Sequence, residues 1–295
     1  MGILTPFLTT RQGQINMIRI GALISGGGTN LSAVMRACEA GDIDGSVVFA
    51  GADNPEASGL QKASAAGVPT FVVDYRQIFH QYREAPEMLS IPDDFDMDAV
   101  RGKTALLGRL MPEDKVRAFL TTRAVAESRL LARMADQPFD LLILAGFMRN
   151  LTSYFIDRVN TDPEYPRIMN IHPALLPSFP GVDGYGDTFR YGCKIGGCTV
   201  HFIDYGEDSG PIIGQRAFEI LPDDTIDSVR DKGLRQEWGL YPECIQLFAE
   251  RRLRLKKSVC RLADGRQTER MVVVITEKPS GSSGLSHGHQ IEQGR

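Results

Sequence analysis

The chain has 295 residues, 42% of them hydrophobic, and a formal net charge of −4. This length permits one large domain or two small ones, and the mild charge without a block of like charges gives no support to nucleic-acid binding. The five cysteines form no CxxC pair, which favours free thiols in a reducing cytosol over disulfides or a metal site. With no signal-peptide pattern and no apolar run of about 18 residues, we expect a cytoplasmic protein without a membrane partner.

The first part of the chain predicts a parallel α/β unit. Residues 1–16 are polar and unpatterned, and we interpret them as an extension ahead of Met17. Three apolar strands are then predicted, with a glycine loop and a helix after the first, at 18–24, 47–52 and 68–73. Strands that alternate with helices through short loops favour crossover units. The expected fold class is α/β, a Rossmann-like and mostly parallel sheet with helices on both faces.

The later part of the chain continues this pattern after an interruption. Residues 80–112 contain three prolines and little strand pattern, so we interpret them as an irregular insertion ahead of a helix over 113–135. The apolar run 140–146 is typical of a central parallel strand that is buried on both faces. Further elements are a strand that starts at Ile168, a late helix over 226–251 that is interrupted or bent near Gly233, and a hairpin within 253–275 around Asp264-Gly265.

These elements predict a catalytic domain over 17–258, with the insertion inside it. The remaining residues, 259–295, would form a C-terminal hairpin and a tail. From residue 277 onward the chain is rich in Pro, Ser, Gly and His, so it cannot bury surface and is expected to be disordered.

The glycine loop Gly26-Gly27-Gly28-Thr29-Asn30 joins a strand to a helix, where free N–H groups and the helix dipole favour a phosphate. Thr29 or Asn30 could cap the helix and also donate to phosphate oxygens. The loop lacks the lysine of a Walker motif and the third glycine of a dinucleotide motif. Asp53 nevertheless lies where a ribose-binding acid would sit, so a nucleotide-dependent oxidoreductase stays open as an alternative, as does a plain tight turn.

Asn170 and His172 are the strongest candidates for chemistry. Side chains alternate along a strand, so the two share a face, and an amide with an imidazole suits an oxygen that gains negative charge. The alternative is a strand end with a capping amide and an exposed ring. Asp208, in a glycine-flanked loop, would favour the imidazolium if it lay beside His172, although its spacing alone favours a solvated loop acid.

Two further polar residues have less definite interpretations. His201 alternates within a strand and suits a core or supporting histidine better than a catalyst. Glu237 is either a surface acid or an anchor for a substrate amine. The sequence has no HExxH, no paired Cys/His cluster and no GxSxG, so we expect no metal and no serine hydrolase chemistry.

Three separated motifs together resemble the phosphoribosylglycinamide formyltransferases: SGGGTNL at 25–31, LAGFMR at 144–149 and NIHPALLP at 170–177. The segments TVHF at 199–202 and DSGPII at 208–213 extend the resemblance in the same order. The resemblance covers residues 17 to 255 and implies the formyltransferase fold. It also implies a folate-dependent enzyme of purine biosynthesis and one-carbon metabolism, with 10-formyltetrahydrofolate as co-substrate and no metal.

The resemblance implies a role for each matching position. Asn170, His172 and Asp208 match the catalytic residues, and Glu237 matches an acid that binds the glycinamide ribonucleotide substrate. The phosphate of that substrate would be held by Gly28, Thr29 and Asn30. The folate pocket would include Met148, Arg149, Asn150, Leu151, Asp204 and Arg123, where Asn150 is unusual for the family and Arg123 depends on an alignment that the insertion disturbs.

The implied reaction is formyl transfer to the amine of glycinamide ribonucleotide. Asn170 and a protonated His172 would donate to the tetrahedral oxyanion, and Asp208 would stabilise the imidazolium. A homodimer is compatible with the sequence.

Two departures from the family leave the acceptor amine open. A histidine-containing helix is replaced by residues 184–190, and residues 80–112 have no counterpart in compact members. The alternatives are a formyltetrahydrofolate deformylase, a formyltransferase for another amine such as a sugar nucleotide, and a catalytically silent folate-binding protein. The deformylase is disfavoured because sixteen residues leave no room for the N-terminal regulatory domain that such enzymes carry.

Overall fold

The computed structural model describes residues 17–108 and 110–278. Its main sheet has seven strands: β1 (Ile18–Ile24), β2 (Gly45–Ala52), β3 (Thr70–Val72), β4 (Leu141–Leu144), β5 (Ile168–His172), β6 (Ile195–Phe202) and β7 (Ile212–Glu219). Their order across the sheet is β3-β2-β1-β4-β5-β6-β7. The first five strands in that order are parallel, whereas β6 runs antiparallel to both of its neighbours. The predicted fold class, α/β with a mostly parallel sheet, is confirmed.

Helices cover both faces of the sheet, as predicted. They are α1 (Thr29–Ala40), α2 (Gly59–Ala65), α3 (Tyr75–Glu84), α4 (Met97–Lys103), α5 (Glu113–Met134), α6 (Ser153–Val159), α7 (Gly184–Arg190) and α8 (Ile226–Ala249). Helices α1, α2 and α8 pack in a core on one face of the sheet, and α3, α5 and α6 pack in a core on the other. Every residue of β4 is buried because successive side chains enter alternate cores, as its continuous apolar run indicates.

The late helix corrects one expectation. Helix α8 is continuous through Gly233, where an interruption or bend was predicted. A Cβ at Gly233 would lie 2.1 Å from the ring of Tyr185, so the glycine serves the close approach of α7 and α8. A residue that weakens a helix locally is here retained by packing.

The insertion is more regular than its sequence suggests. Residues 80–112 begin inside α3 and continue through a 3₁₀ turn (Pro86–Met88) into α4. A small separate core joins them to α5 and α6 through Val100, Val116, Leu120 and Tyr154. The interpretation of this stretch as irregular is therefore wrong. Short helical turns with only a few apolar residues do not show a clear helical period in the sequence.

The C-terminal hairpin is present, and its strands extend beyond the predicted 253–259 and 271–275: β8 (Leu253–Arg261) pairs with β9 (Gln267–Ile275) apart from the main sheet. The predicted extension over 1–16 and the tail beyond 278 lie outside the described residues. None of the described helices is both long and apolar enough to cross a membrane.

The topology places the ends of β1, β4 and β5 side by side. Strand β1 lies between β2 and β4, so the chain crosses to opposite sides after β1. In open α/β sheets, ligands bind at the carboxyl edge where the strand order reverses in this way.

Candidate active site

A cleft of about 560 Å³ lies at this carboxyl edge. Its volume is in the range of small-molecule sites. All thirteen residues that the sequence suggested for the site line it: Gly28, Thr29, Asn30, Arg123, Met148, Arg149, Asn150, Leu151, Asn170, His172, Asp204, Asp208 and Glu237. The structure thus brings the predicted residues together, while their individual roles stay predictions.

Asn170 and His172 lie on one side of β5, and an acid from another loop meets them. Asp208 Oδ2 is 3.2 Å from His172 Nδ1. The same carboxylate oxygen accepts a hydrogen bond of 2.8 Å from the Gly181 N–H. Asp208 adopts a left-handed backbone conformation with φ 48°. The solvated-loop interpretation of Asp208 is therefore wrong.

The second nitrogen of His172 also faces an acceptor. Nε2 is 2.8 Å from the carbonyl oxygen of Phe179. A ring with an oxygen acceptor at each nitrogen matches the geometry of an imidazolium, which carries two N–H donors. The ring is only 3% exposed, however, and this burial lowers the pKa of His172, against the raising effects of Asp208 and the Phe179 carbonyl. Charge on this ring therefore depends on its two oxygen neighbours.

His201 belongs to the same cluster, a position that fits its interpretation from the sequence as a core or supporting histidine. It lies opposite Asn170 in the antiparallel pairing of β5 and β6. With the His201 proton on Nδ1, 2.9 Å from the carbonyl of Phe202, its Nε2 accepts a hydrogen bond of 3.2 Å from Asn170 Nδ2. Nε2 is also 3.6 Å from Asp208 Oδ1. Because His201 has no exposed surface, it acts on its neighbours and not on a ligand directly.

The carboxylate of Asp208 is held in its ionised form by this arrangement. Burial raises the pKa of Asp208, but the His172 ring and the Gly181 N–H lower it, and the pKa lies below the usual value. Asn170 Nδ2 has two N–H groups, and His201 takes only one of them. The remaining N–H is a donor on a side chain that lines the cleft, whereas both ring nitrogens of His172 already face oxygen atoms.

The glycine loop forms the second part of the cleft. Gly28 is the N-cap of α1 with φ 63°, and a Cβ there would lie 2.8 Å from Gly59 Cα. Neither Thr29 nor Asn30 caps the helix, contrary to expectation, because both lie within its first turn. The helix has no acidic residue in that turn, so its N–H groups and dipole favour an anion. Lys62 adds a nearby cation, with Nζ 2.7 Å from the Gly27 carbonyl.

Glu237 is buried in this part of the cleft and is not a surface acid. Its side chain is 4% exposed. Asn30 Nδ2 donates to one carboxylate oxygen at 2.6 Å, and the Tyr185 hydroxyl donates to the other at 2.6 Å. Burial raises the pKa of Glu237, although both hydrogen bonds act in the opposite direction. Tyr185 lies in the divergent segment 184–190, and no pattern in the sequence indicated its partner.

Two arginines line a further part of the cleft. Arg149 Nε lies 2.5 Å from Asp53 Oδ2. The Asp53 carboxylate is 1% exposed and held by this ion pair, which corrects the suggestion that Asp53 binds a ribose. The guanidinium carbons of Arg123 and Arg149 lie 5.2 Å and 5.3 Å from the ring centre of Tyr75. Nε of Arg123 and the hydroxyl of Tyr75 are buried without a hydrogen-bond partner. This part of the cleft therefore offers unsatisfied polar groups beside positive charge.

The other residues predicted for the folate pocket include several with structural partners of their own. The Met148 N–H donates to Ser25 Oγ at 2.8 Å, and the Asn150 amide donates to Glu207 at 3.2 Å. Asp204 Oδ1 accepts from the Gly206 N–H at 3.1 Å and from the Ser209 hydroxyl at 2.6 Å, which folds the 203–209 loop around it. Within the described ranges there is no group of three or more His, Cys, Asp or Glu suited to a metal ion.

The fold and this cleft are those of an enzyme that transfers a one-carbon group, and the formyl transferase family model matches residues 18–245. The chain is 32% identical over 250 residues to the phosphoribosylglycinamide formyltransferase of Haemophilus influenzae, covering 85% of this chain and 95% of that one. It is 27% identical over 230 residues to the enzyme of the same name from Bacillus subtilis, covering 78% of this chain and 94% of that one.

A solved structure of glycinamide ribonucleotide transformylase 1 from Symbiobacterium toebii is similar with a TM-score of 0.63 and 33% identity, covering 92% of this chain and all of that one (100%). The chain belongs to the formyl transferase family and, within it, to the phosphoribosylglycinamide formyltransferases. The family resemblance, the enzyme class and the fold expected from the sequence are confirmed.

Proposed function

We propose that this enzyme transfers the formyl group of 10-formyltetrahydrofolate to the amine of glycinamide ribonucleotide. The observation that carries the proposal is the meeting of Asn170, His172 and Asp208 in one cleft beside the N-terminus of α1. An oxyanion site and an anion site share that cleft, as transfer to a phosphorylated amine requires.

The chemical step begins when the neutral amine attacks the formyl carbon and a carbon–nitrogen bond forms. The free N–H of Asn170 and the Nε2–H of His172 stabilise the oxyanion of the tetrahedral intermediate. In the resting enzyme that Nε2–H lies against the Phe179 carbonyl, so the formyl oxygen takes the place of this acceptor. The bond from the formyl carbon to the folate nitrogen then breaks, and a proton from the attacking amine reaches that nitrogen by way of the His172–Asp208 pair or water.

The acceptor binds at the end of the cleft formed by the glycine loop. The N–H groups of Gly28, Thr29 and Asn30 at the start of α1 hold the phosphate. Glu237 contacts the body of the same substrate, positioned by Asn30 and Tyr185. Because Tyr185 comes from the divergent helix α7, the segment that made the acceptor uncertain instead contributes to holding this acid.

The folate co-substrate binds at the opposite end. Met148, which is 51% exposed, gives an apolar surface for a ring, with Asn150, Leu151 and Asp204 beside it. Folates end in glutamate carboxylates, and the arginines Arg123 and Arg149 supply cations at that end. The unpartnered Nε of Arg123 supports this orientation.

The test incubates the enzyme with 10-formyltetrahydrofolate, with and without glycinamide ribonucleotide, and follows both formate and the formylated product. We expect formylated product that depends on the acceptor. Formate release that needs no acceptor would favour the deformylase, and product only with a sugar nucleotide amine would favour that other acceptor.

Variants connect the activity to the site. Asn170→Ala should lose about 10²–10³ in rate through one oxyanion donor, and His172→Ala about 10²–10⁴. His80→Ala is the matched control, since His80 is exposed on α3 outside the cleft. Near-full activity in either cleft variant would refute the assignment.

We also propose a cytoplasmic location and a domain organisation of 1–16, 17–258 with the 80–112 insertion, and 259–295. The five cysteines, all free thiols, support the location. A homodimer stays a prediction, for which light scattering on the full chain is the measurement.

A further inference from the structure

The insertion contacts the loop that carries Asp208, at a place the proposed reaction does not use. The Ala105 N–H donates to the carbonyl oxygen of Tyr205 at 2.9 Å. The Tyr205 hydroxyl donates to Asp157 Oδ1 at 2.5 Å, and Lys103 Nζ lies 2.6 Å from the other oxygen of that carboxylate. Lys103 also lies over the Tyr205 ring, 5.8 Å from its centre.

These contacts connect three parts of the chain that are distant in sequence. Lys103 ends α4 of the insertion, Asp157 lies on α6, and Tyr205 lies in the 203–209 loop. The insertion is itself fixed to α6, because Asp94 accepts from the Tyr154 hydroxyl at 3.0 Å and pairs with Arg158 at 2.7 Å. Asp157 therefore lies on a helix that these contacts hold against the insertion, and the hydrogen bond from Tyr205 connects the 203–209 loop to that helix.

Tyr205 is placed differently from its neighbours in the loop. Residues 203, 204, 206, 207 and 208 line the cleft, whereas Tyr205 does not, and its ring points to the insertion. Asp208 needs support because it holds a left-handed φ of 48° without being glycine. The Gly181 N–H and the histidines hold it from the cleft side. The Tyr205 contacts hold the same short loop from the side that faces the insertion.

We propose that Lys103, Asp157 and Tyr205 form a clamp through which the insertion positions the 203–209 loop for the folate co-substrate. The clamp consists of positioning residues, since none of the three lines the cleft. It rests on the proposed function only in naming folate as the ligand on that side. Loosening the clamp leaves the acceptor end intact, because Glu237 and the glycine loop belong to α8 and α1.

The first experiment compares Tyr205→Phe with wild type. The variant keeps the ring and removes the hydroxyl that contacts Asp157. We expect the KM for 10-formyltetrahydrofolate and the Kd of tetrahydrofolate to rise about 5-fold, the effect of one partly exposed hydrogen bond, while the KM for glycinamide ribonucleotide stays within about 2-fold. Lys103→Met should give a smaller change of about 2-fold, because exposed ion pairs contribute little.

A matched control separates positioning from general stability. Arg101 pairs with Glu113 at 2.7 Å in the same insertion and is similarly exposed, but it does not touch the loop. Arg101→Met should leave both KM values unchanged. In the double variant Lys103→Met/Tyr205→Phe, the two effects should be less than additive because both act through Asp157. The Gly181 N–H donates a hydrogen bond to Asp208. Its hydrogen exchange should therefore accelerate in Tyr205→Phe and not in Arg101→Met.

Equal changes in both KM values, or an unchanged Kd for tetrahydrofolate, would overturn the clamp. The failure of the proposed function looks different: wild type would form no formylated product. The tetrahydrofolate titration needs no turnover, so it tests the clamp in either case.

Discussion

Glu127 is a carboxylate with no exposed surface, close to the charge of Arg123, which lines the cleft. It accepts a hydrogen bond of 2.8 Å from the Thr152 N–H and one of 2.6 Å from the Thr152 hydroxyl. Burial raises the pKa of Glu127 to about 7, despite these hydrogen bonds and the charge of Arg123. Replacement by glutamine keeps the shape of the side chain and removes its titration.

The sign of the effect follows from proton linkage. Between its ordinary pKa of 4.5 and about 7, Glu127 holds a proton when folded and releases it when unfolded. Glu127 therefore makes its full contribution to the free energy of unfolding below pH 4.5, and this contribution is lost as pH rises through about 7. At about 1.4 kcal/mol for each pKa unit, the loss amounts to roughly 3 kcal/mol.

Urea denaturation of wild type and Glu127→Gln, across a pH range that brackets both values, measures this term. We expect the difference between their free energies of unfolding to move by roughly 3 kcal/mol in favour of the variant as pH rises. Glu87→Gln, at an exposed carboxylate on the insertion, is the control and should follow wild type. Parallel curves for wild type and Glu127→Gln would refute the reasoning.

Two further predictions concern the cleft. Asp208→Asn removes the charge that opposes the effect of burial on His172, so the pKa of that ring should fall further below its usual value. NMR titration of the ring measures this pKa. A rise in the pKa would contradict the geometry. Tyr185→Phe removes a hydrogen bond of 2.6 Å to Glu237, so the pKa of Glu237 should rise further and the acceptor KM should increase about tenfold. Steady-state kinetics with each substrate varied in turn would measure it, and an equal change in the folate KM would show that Tyr185 acts on the whole fold.

Much of the fold followed from local pattern. The continuous apolar run of β4 indicates a strand between two layers, and the alternation around Asn170 and His172 places both on one side of β5. Both inferences need only the periodicity of apolar and polar residues along the sequence. The glycine loop likewise indicates the start of α1, because strand, glycine and helix follow each other within a few residues.

What could not be predicted depends on contacts between distant segments. His201 joins Asn170, His172 and Asp208 through the antiparallel pairing of β5 and β6, and a periodic strand pattern does not reveal a pairing partner. The burial of Glu237 depends on Asn30 and Tyr185, which lie 207 and 52 residues away in sequence. Gly233 resembled a helix break because the ring that fills its space belongs to α7. Spacing alone describes none of these tertiary contacts.

The opposite pairing of Asn170 and His201 across β5 and β6 has a consequence for redesign. Both side chains are fixed by the register of backbone hydrogen bonds, so a one-residue shift would turn them to the far face of the sheet. Engineers who want another amine to be formylated should therefore leave these two strands untouched and vary α7 and the first turn of α1. The formyl-transfer chemistry would be inherited, and only the choice of recipient would change.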